Sequence, residues 1–367
     1  MTRPSLPRHK ILLLTKPLDP APAGGRELLC KLNHDALKAI YGDRLVVFEL
    51  PAGKLQGTRA YLNAFRGHID GLSTDSIAAV LRMVDAGHIA KVFVDGSNLG
   101  AIVPELKQRV PQVEVISFFH NVEARFFWGS LRLQRSMRAL AVLVANTLAE
   151  RQAVRYSDKI VCLSERDSRL LKRIYGRGAT HIAPMALEDK LPANPAFTAS
   201  AQPESFALFV GGTFYANRAG IAWFVRHVAP RIDVPVFIVG RGFEALREKL
   251  EIPGQVTVIG TVDDLADWYR RAQFVIAPIF DGSGMKTKVA EALMFGKKVV
   301  GTPEAFSGYE GIAADAGWVC RSADDFVAAI GEAQATATLA FDPALRALYL
   351  EKYSLAAATE RMKSIMH

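Results

Sequence analysis

Short runs of β-branched and aromatic residues alternate with stretches of helical apolar spacing along almost the whole chain. In the first half the runs are ILLLT (11–15), LVVFEL (45–50), KVFVD (91–95), VEVISFF (113–119) and KIVCLS (159–164). Runs that are apolar at nearly every position suit strands covered on both faces, and the stretches between them supply the covering helices. Residues 1–184 are therefore expected to form one doubly wound, Rossmann-like parallel sheet. Pro184, Pro192, Pro195 and Pro203 then fall among Ala, Asn and Ser, which suits neither a helix nor a central strand, so residues 185–204 are expected to be a linker. The alternation restarts with FALFVGG (206–212), VPVFIVG (234–240), QVTVIG (255–260), QFVIAP (273–278) and KVVG (298–301), which predicts a second Rossmann-like domain over residues 205–352. A last helix, SLAAATERMKSIM, follows after the second sheet has run out of strands, and residues 353–367 are expected to cross the domain junction. The fold class is thus α/β, with two doubly wound domains expected to face a central cleft at the carboxyl ends of their strands, where such sheets bind ligands.

Composition narrows the function classes. With 367 residues, 50% hydrophobic and 22% charged, the chain can bury two ordinary cores, which excludes disorder and fibrous repeats. The longest apolar runs fall short of the roughly 20 residues of a membrane span. The start, MTRPSLPRHKILLL, has neither a long apolar stretch nor a small-residue cleavage site, so a cytoplasmic location is expected. Cys30, Cys162 and Cys320 are widely spaced, without a CxxC, and read as buried apolar fillers rather than a disulfide or zinc framework.

The net charge of +8 is unevenly spread. Residues 1–184 carry 27 basic and 16 acidic side chains, residues 185–367 carry 18 and 21. A basic half suits nucleic acid, anionic lipid or a phosphorylated small molecule, and charge alone does not choose among them.

The segment PIFDGSGMKTKVAEALMFGKKVVGTPEAFSGYEG (278–311) leaves a predicted strand, turns through Gly282 and Gly284, and enters a helix carrying Lys286, Lys288 and Glu291. Glycines ahead of a helix leave backbone N–H groups open to an anion, and two lysines add full charges, so a diphosphate would fit. Glu291 shares a helix face with Lys288, where a carboxylate can accept from a ribose diol; an ordinary turn followed by a surface helix with an i, i+3 ion pair accounts for the same letters. In the first half, PLDPAPAGGRELLCKL (17–32) sets Gly24 and Gly25 between a strand and a helix, a loop that lets backbone approach a ligand, or a plain connector. SFFHNVEARFF (117–127) places His120 directly after an apolar strand, and Glu123 there also reads as a helix-start carboxylate favoured by the dipole. Residues 125–177 hold twelve Lys or Arg against four acids, with Phe126, Phe127 and Trp128 interleaved with Arg125 and Arg132. Aromatics beside arginines suit an anionic lipid surface, and equally a core helix with a solvated basic face.

The 278–311 segment resembles the donor-site signature of retaining GT-B glycosyltransferases of the group 1, or family 4, type. The resemblance extends in order through FVGGTFYANRAGIAWFVRHVAPRI (209–232), VGRG (239–242), VIGTVDDLADWYRRAQFVIAP (258–278) and YSLAAATERM (353–362). It implies transfer of a sugar from a nucleotide diphosphate to a glycan or lipid-linked acceptor with retention at the anomeric carbon, in cell-surface polysaccharide or glycolipid synthesis. It places the donor diphosphate at Gly282, Ser283, Gly284 and Met285 with Lys288 nearby, and Glu291 on the ribose. It sets Arg241 and Gly242 by the nucleotide, Thr261 and Val262 near the base, the glycine loop at Gly24 and Gly25 by the phosphate and the acceptor, and His120 near the transferred sugar. Two departures stand out: Ser283 replaces the first glutamate of the family's pair, and Thr213 and Phe214 stand where relatives carry a basic pair, leaving Arg218 or Lys286 to supply the charge. No cofactor and no metal are expected, since no DxD pair is convincing; the aspartates at 263–264 and 324–325 read as helix starts. A sugar-nucleotide epimerase and a catalytically degenerate nucleotide-sugar-binding protein are the alternatives on this scaffold. Nothing resembles a nucleic-acid-binding motif.

Overall fold

The computed structural model describes residues 9–20, 25–51, 64–191, 204–282, 284–337 and 339–367. The chain divides into two compact units. The first comprises Met1–Met185 together with Ala358–His367, and the second Ala186–Ala357.

The first unit is built on six parallel strands: β1 (Lys10–Thr15), β2 (Leu45–Glu49), β3 (Ile89–Asp95), β4 (Glu114–Phe119), β5 (Lys159–Cys162) and β6 (His181–Ile182). They lie in the order β2-β1-β3-β4-β5-β6. Leu12 of β1 sits beside Val46 on one side and Val92 on the other, so the apolar runs stack as continuous ridges. Helices α1 (Gly25–Tyr41), α2 (Thr74–Ala86), α3 (Ile102–Arg109), α4 (Glu123–Gln134), α5 (Met137–Tyr156) and α6 (Glu165–Tyr175) connect them. One core cluster packs Leu12, Leu14, Val92 and Val94 against Val80, Ile102 and Val103, and another packs Phe119, Ile160 and Cys162 against Ala153 and Leu171. Burying such side chains contributes about 1.5–3 kcal/mol each. The sheet changes direction between β1 and β3, and Thr15 and Asp95 end those two strands.

The aromatic and arginine-rich stretch is two helices. Arg135 turns left-handed at φ 44°, and the Ser136 hydroxyl accepts from the Ala139 amide to start α5. Beyond α5, Ser164 caps α6 by accepting from the Asp167 amide, and Gly176 closes it at φ 81°.

The second unit repeats the plan with β7 (Ala207–Val210), β8 (Val236–Val239), β9 (Val256–Gly260), β10 (Phe274–Ala277), β11 (Val299–Gly301) and β12 (Gly317–Val319), in the order β12-β11-β10-β7-β8-β9. Its helices include α7 (Tyr215–His227), α8 (Leu265–Arg271), α9 (Thr287–Met294), α10 (Ala323–Thr336) and α11 (Pro343–Lys352). The aspartate pairs do start helices: Asp264 caps α8, and Asp325 closes a reciprocal capping box with Ser322. Here the reversal falls between β7 and β10, at Gly211 and Pro278. Gly220 lets α7 lie directly on the second of these ends, because a Cβ there would stand 1.8 Å from the Pro278 oxygen. A further helix, α12 (Leu355–Met366), runs from Leu355, and its residues from Ala358 onward pack in the first unit. No helix among the described residues is long and apolar enough to cross a membrane.

Candidate functional site

In the second unit two glycine turns meet at the carboxyl ends of β7 and β8. Gly240, at φ 147°, passes so close to Gly211 that a Cβ would stand 1.8 Å from the Gly211 oxygen, and Gly242, at φ 88°, lies against Thr213. Only residues without a side chain can bring these turns together. Asn217, in the first turn of α7, donates from Nδ2 to the Gly212 oxygen at 2.9 Å, and its Oδ1 accepts from Lys288 Nζ at 2.9 Å. Lys288 is buried on α9, its ammonium 4.8 Å from the centre of the Phe209 ring. Burial, with Lys286 adding repulsion, pushes Lys288 down to about 7 against the pull of Glu291.

The neighbouring predicted residues are differently engaged. Lys286 ion-pairs with Glu304 at 2.9 Å and donates to the Gly284 oxygen, across a turn in which Gly282 takes φ 135°. Met285 is buried beneath Gly308, and the Tyr309 hydroxyl donates to the Lys286 oxygen at 2.9 Å. The Glu291 carboxylate accepts from the Tyr269 hydroxyl at 2.9 Å and lies 3.8 Å from Lys190. Arg218 and Arg241 are exposed, as is Thr261, and Val262 is half-buried. Ser283 and Gly24 lie outside the described residues.

One contributor escaped the sequence reading. Glu244 accepts from the Gly242 amide at 2.7 Å with one oxygen, and from the amide and hydroxyl of Thr261 at 2.6 and 2.7 Å with the other. These bonds, that of the Thr261 hydroxyl foremost, hold its carboxyl down to about 2. Glu244 thereby ties the turn after β8 to the turn after β9, which joins Gly242 to Thr261.

In the first unit His120 follows β4 and gives its Nε2 to Asp95 at 2.8 Å; both are buried. Asp95 also accepts from Thr15 Oγ1 at 3.1 Å and Asn33 Nδ2 at 2.8 Å. Burial works to raise the Asp95 carboxyl, yet His120, Asn33 and Cys30 hold it below the usual range. Cys30 is therefore not the apolar filler expected of it. It sits in this polar cluster, and burial together with the Asp95 carboxylate pushes its thiol up. Cys30, Asp95 and His120 hold their ligand atoms within 4.8 Å of one another, so this is the group among the described residues that could hold a metal ion. Cys162 and Cys320 are buried as expected.

Arg26, one residue after Gly25, donates to Asn98 and, at 3.3 Å, to Asp70; Lys16 ion-pairs with Asp70 at 2.9 Å. Glu123 opens α4, as expected of a helix-start carboxylate, but it is buried. It is 3% exposed, and burial pushes its carboxyl up to about 7, Arg26 pulling it down and Glu150 pushing it up. The amides that begin α4 are satisfied from a different helix. Glu150 of α5, wholly buried, accepts from the Glu123 amide at 2.7 Å, the Ala124 amide at 3.1 Å, the Tyr175 hydroxyl at 2.8 Å and the Ser97 hydroxyl at 3.2 Å. A lone acid within the run ALAVLVANTLAERQAV was the available signal for it.

The aromatic and basic stretch borders an apolar groove of about 480 Å³ lined by Arg125, Trp128, Leu143, Leu148, Leu170 and Ile174. Trp128 is 50% exposed and Arg132 is exposed, whereas Phe126 and Phe127 are half-buried and meet edge to face at 5.1 Å.

Two parallel six-stranded sheets, each with its polar turns at the carboxyl ends of the strands, define the GT-B class of α/β fold. Residues 204–335 match the family described as glycosyl transferases group 1, and the chain as a whole has the GT-B fold. Its fold is similar to that of sucrose-phosphate synthase from Thermosynechococcus elongatus, with 18% identity, 98% of each chain covered and a TM-score of 0.69. HepE of Anabaena, solved with UDP, is 13% identical over 97% of this chain and 99% of its own, at a TM-score of 0.66. The lipopolysaccharide outer core galactosyltransferase WaaB is 12% identical over 97% and 99%, at 0.64. No curated protein matches the sequence.

Proposed function

We propose that the chain transfers a sugar from a nucleoside diphosphate to a glycan or lipid-linked acceptor with retention of configuration, and that the second unit grips the diphosphate. The observation that carries this is Lys288: a buried ammonium held by a neutral amide and an aromatic face, with no carboxylate in salt-bridge range among the described residues. A buried cation without a counter-ion is costly until an anion arrives. The Gly211–Gly212 turn beside Asn217 lets backbone approach that anion, and the Gly242 and Thr261 turns tied by Glu244 are suited to the nucleoside. HepE, solved with UDP-glucose, makes a uridine nucleotide the first donor to try.

As the glycosidic bond breaks, negative charge collects on the departing phosphate and positive charge on the anomeric carbon. A preorganised ammonium stabilises the first of these, so the reading requires no metal. Retention follows if the acceptor attacks from the face the phosphate leaves and gives its proton to that phosphate. The groove beside Trp128 and the arginines of α4 support peripheral contact with an anionic membrane bearing a lipid-linked acceptor.

Titrating the full chain with UDP-, GDP- and ADP-sugars by calorimetry tests the core of the proposal. At least one should bind, Lys288→Met should weaken it, and the product formed with an acceptor should keep the donor's anomeric configuration by NMR. If no nucleotide sugar binds, the proposal fails; conversion of the donor without an acceptor would instead mark an epimerase. Sedimentation with phosphatidylglycerol vesicles, lost in Trp128→Ala with Arg132→Ala, tests the membrane contact.

A further inference from the structure

Glu244 is an exposed carboxylate with both oxygens in use. One accepts from the Gly242 amide at 2.7 Å, the other from the amide and the hydroxyl of Thr261 at 2.6 and 2.7 Å. Hydrogen bonds alone hold its carboxyl down, with no cation among the causes. The backbone around it is shaped to receive it. Gly260 takes φ 84°, and a Cβ there would stand 2.5 Å from Glu244 Cγ and Oε1. Gly242 takes φ 88°, and a Cβ there would stand 2.7 Å from the Thr213 hydroxyl. Phe243, between Gly242 and Glu244, is buried and meets Phe209 edge to face at 5.8 Å, the ring whose centre lies 4.8 Å from Lys288 Nζ. The carboxylate clamp is thus packed onto the ring that carries the buried ammonium.

Exposure decides what these bonds are for. The three donors lie at the surface, so water would satisfy them if the carboxylate were gone, and the fold would lose little. Water does not supply a fixed spacing. The carboxylate holds the turn after β8, at Gly242, and the turn after β9, at Thr261, at one separation. Turns ordered in advance favour affinity, because the ligand no longer has to order them. They also sharpen choice: a seat of fixed width tells a one-ring base from a two-ring base, whereas two loose turns adjust to both.

We propose that Glu244 is a positioning residue for nucleoside selectivity: by pinning the Gly242 turn to the Thr261 turn it fixes the width of the nucleoside seat, so that choice among donor bases depends on it and grip on the diphosphate does not. The inference rests on the reading of the second unit as a nucleoside diphosphate site and names what sets its preference. Glu244 touches no ligand on this account. Its oxygens are given to the two turns, and it acts through them.

Calorimetry on the full chain supplies the test, with UDP, GDP, ADP and inorganic pyrophosphate as the ligands. The parent should prefer one nucleotide by about tenfold or more, and Glu244→Ala should shrink that preference to about threefold or less, the preferred nucleotide weakening most. Pyrophosphate, which has no base to place, should bind parent and variant within about twofold of each other. The unfolding midpoint of Glu244→Ala should lie within about 2 °C of the parent's, since only surface bonds are lost. Thr261→Val keeps the amide and removes the hydroxyl, so it should give an intermediate preference, and adding it to Glu244→Ala should change the preference no further. From about pH 6.5 to 8.5 the ratio between nucleotides should hold steady while each affinity follows Lys288, because the Glu244 carboxyl, held down to about 2, keeps its charge throughout. Pyrophosphate and all three nucleotides weakened alike, or a variant too unstable to assay, would mark a tie kept for structure and overturn the inference. So would a preference untouched by Glu244→Ala, or a parent without one. If no nucleotide binds the parent, the nucleoside diphosphate reading fails and this inference with it; nucleotide binding with any overturning result defeats this inference alone.

Discussion

Replacing Lys288 with Met removes a charge from the place where the diphosphate is expected and leaves a side chain of similar length. The parent lysine is buried, and its midpoint falls from an ordinary 10.5 to about 7, so charging it is about 5 kcal/mol harder in the folded chain than in the unfolded one. Between those two pH values the unfolded chain binds a proton that the folded chain does not, so this group makes stability rise with pH from about 7 toward 10.5. Below about 7 its full cost is present. A bound diphosphate inverts the balance by favouring the ammonium. Above about pH 7 donor binding should therefore take up close to one proton, and affinity should fall toward a limit of about tenfold per pH unit. UDP-glucose is the suitable ligand, because its diphosphate has no ionisation of its own near neutrality. Calorimetry at about pH 8.5 in buffers of different ionisation enthalpy counts the proton. The parent should show an uptake near one, and Lys288→Met none. The variant should also bind about 30-fold or more weaker at neutral pH, the cost of removing one partner from a buried charge pair. Binding flat from pH 6.5 to 8.5 with no proton uptake would refute the reasoning.

Other sites give sharper structural readouts. Gly240→Ala should destabilise the chain by more than about 3 kcal/mol in urea, since its Cβ would meet the Gly211 oxygen at 1.8 Å and its φ of 147° is foreign to alanine. Gly212→Ala, with nothing within 4 Å of the added atom, should be nearly silent. Glu150→Gln should cost about 2 kcal/mol by the same assay, because an amide nitrogen would face hydroxyl and backbone donors that now meet a carboxylate oxygen. Asp95→Asn should cost about 3 kcal/mol or more and alter the His120 ring resonances in NMR, through loss of the acceptor that His120, Asn33 and Thr15 share.

The sequence made the two sheets readable because ten of the strands are apolar on nearly every residue. The other two, His181–Ile182 and Gly317–Val319, are two and three residues long and carry no such run, so only their neighbours in the sheet define them. The break at Arg135 was hidden for a related reason: an arginine took the left-handed turn that usually marks a glycine. At the candidate site, spacing indicated the glycine turns and both lysines but not how they divide their work. Lys286 is answered by Glu304, eighteen residues on, and Lys288 by Asn217, seventy-one residues back. The polar neighbours of His120 come from β1, α1 and β3, and Glu244 reaches Thr261 across seventeen residues. Such pairings belong to the sheet order, and a linear pattern does not carry them.

The far end of the first sheet is finished by residues that come last in sequence. Lys91 and Lys159, near the starts of β3 and β5, both ion-pair with Glu114, at 2.7 and 2.9 Å. They also donate to the main-chain oxygens of Met366 and Ile365, while Arg361 reaches the Pro184 oxygen. Met362, Ile365 and Met366 are buried there. A ribosome must therefore translate the whole of the second unit before the first has its closing segment. The earlier-made half has to wait in an unfinished state, its strand ends covered only when the chain returns, and loss of these few residues would fall on the half of the molecule most distant from them in the gene.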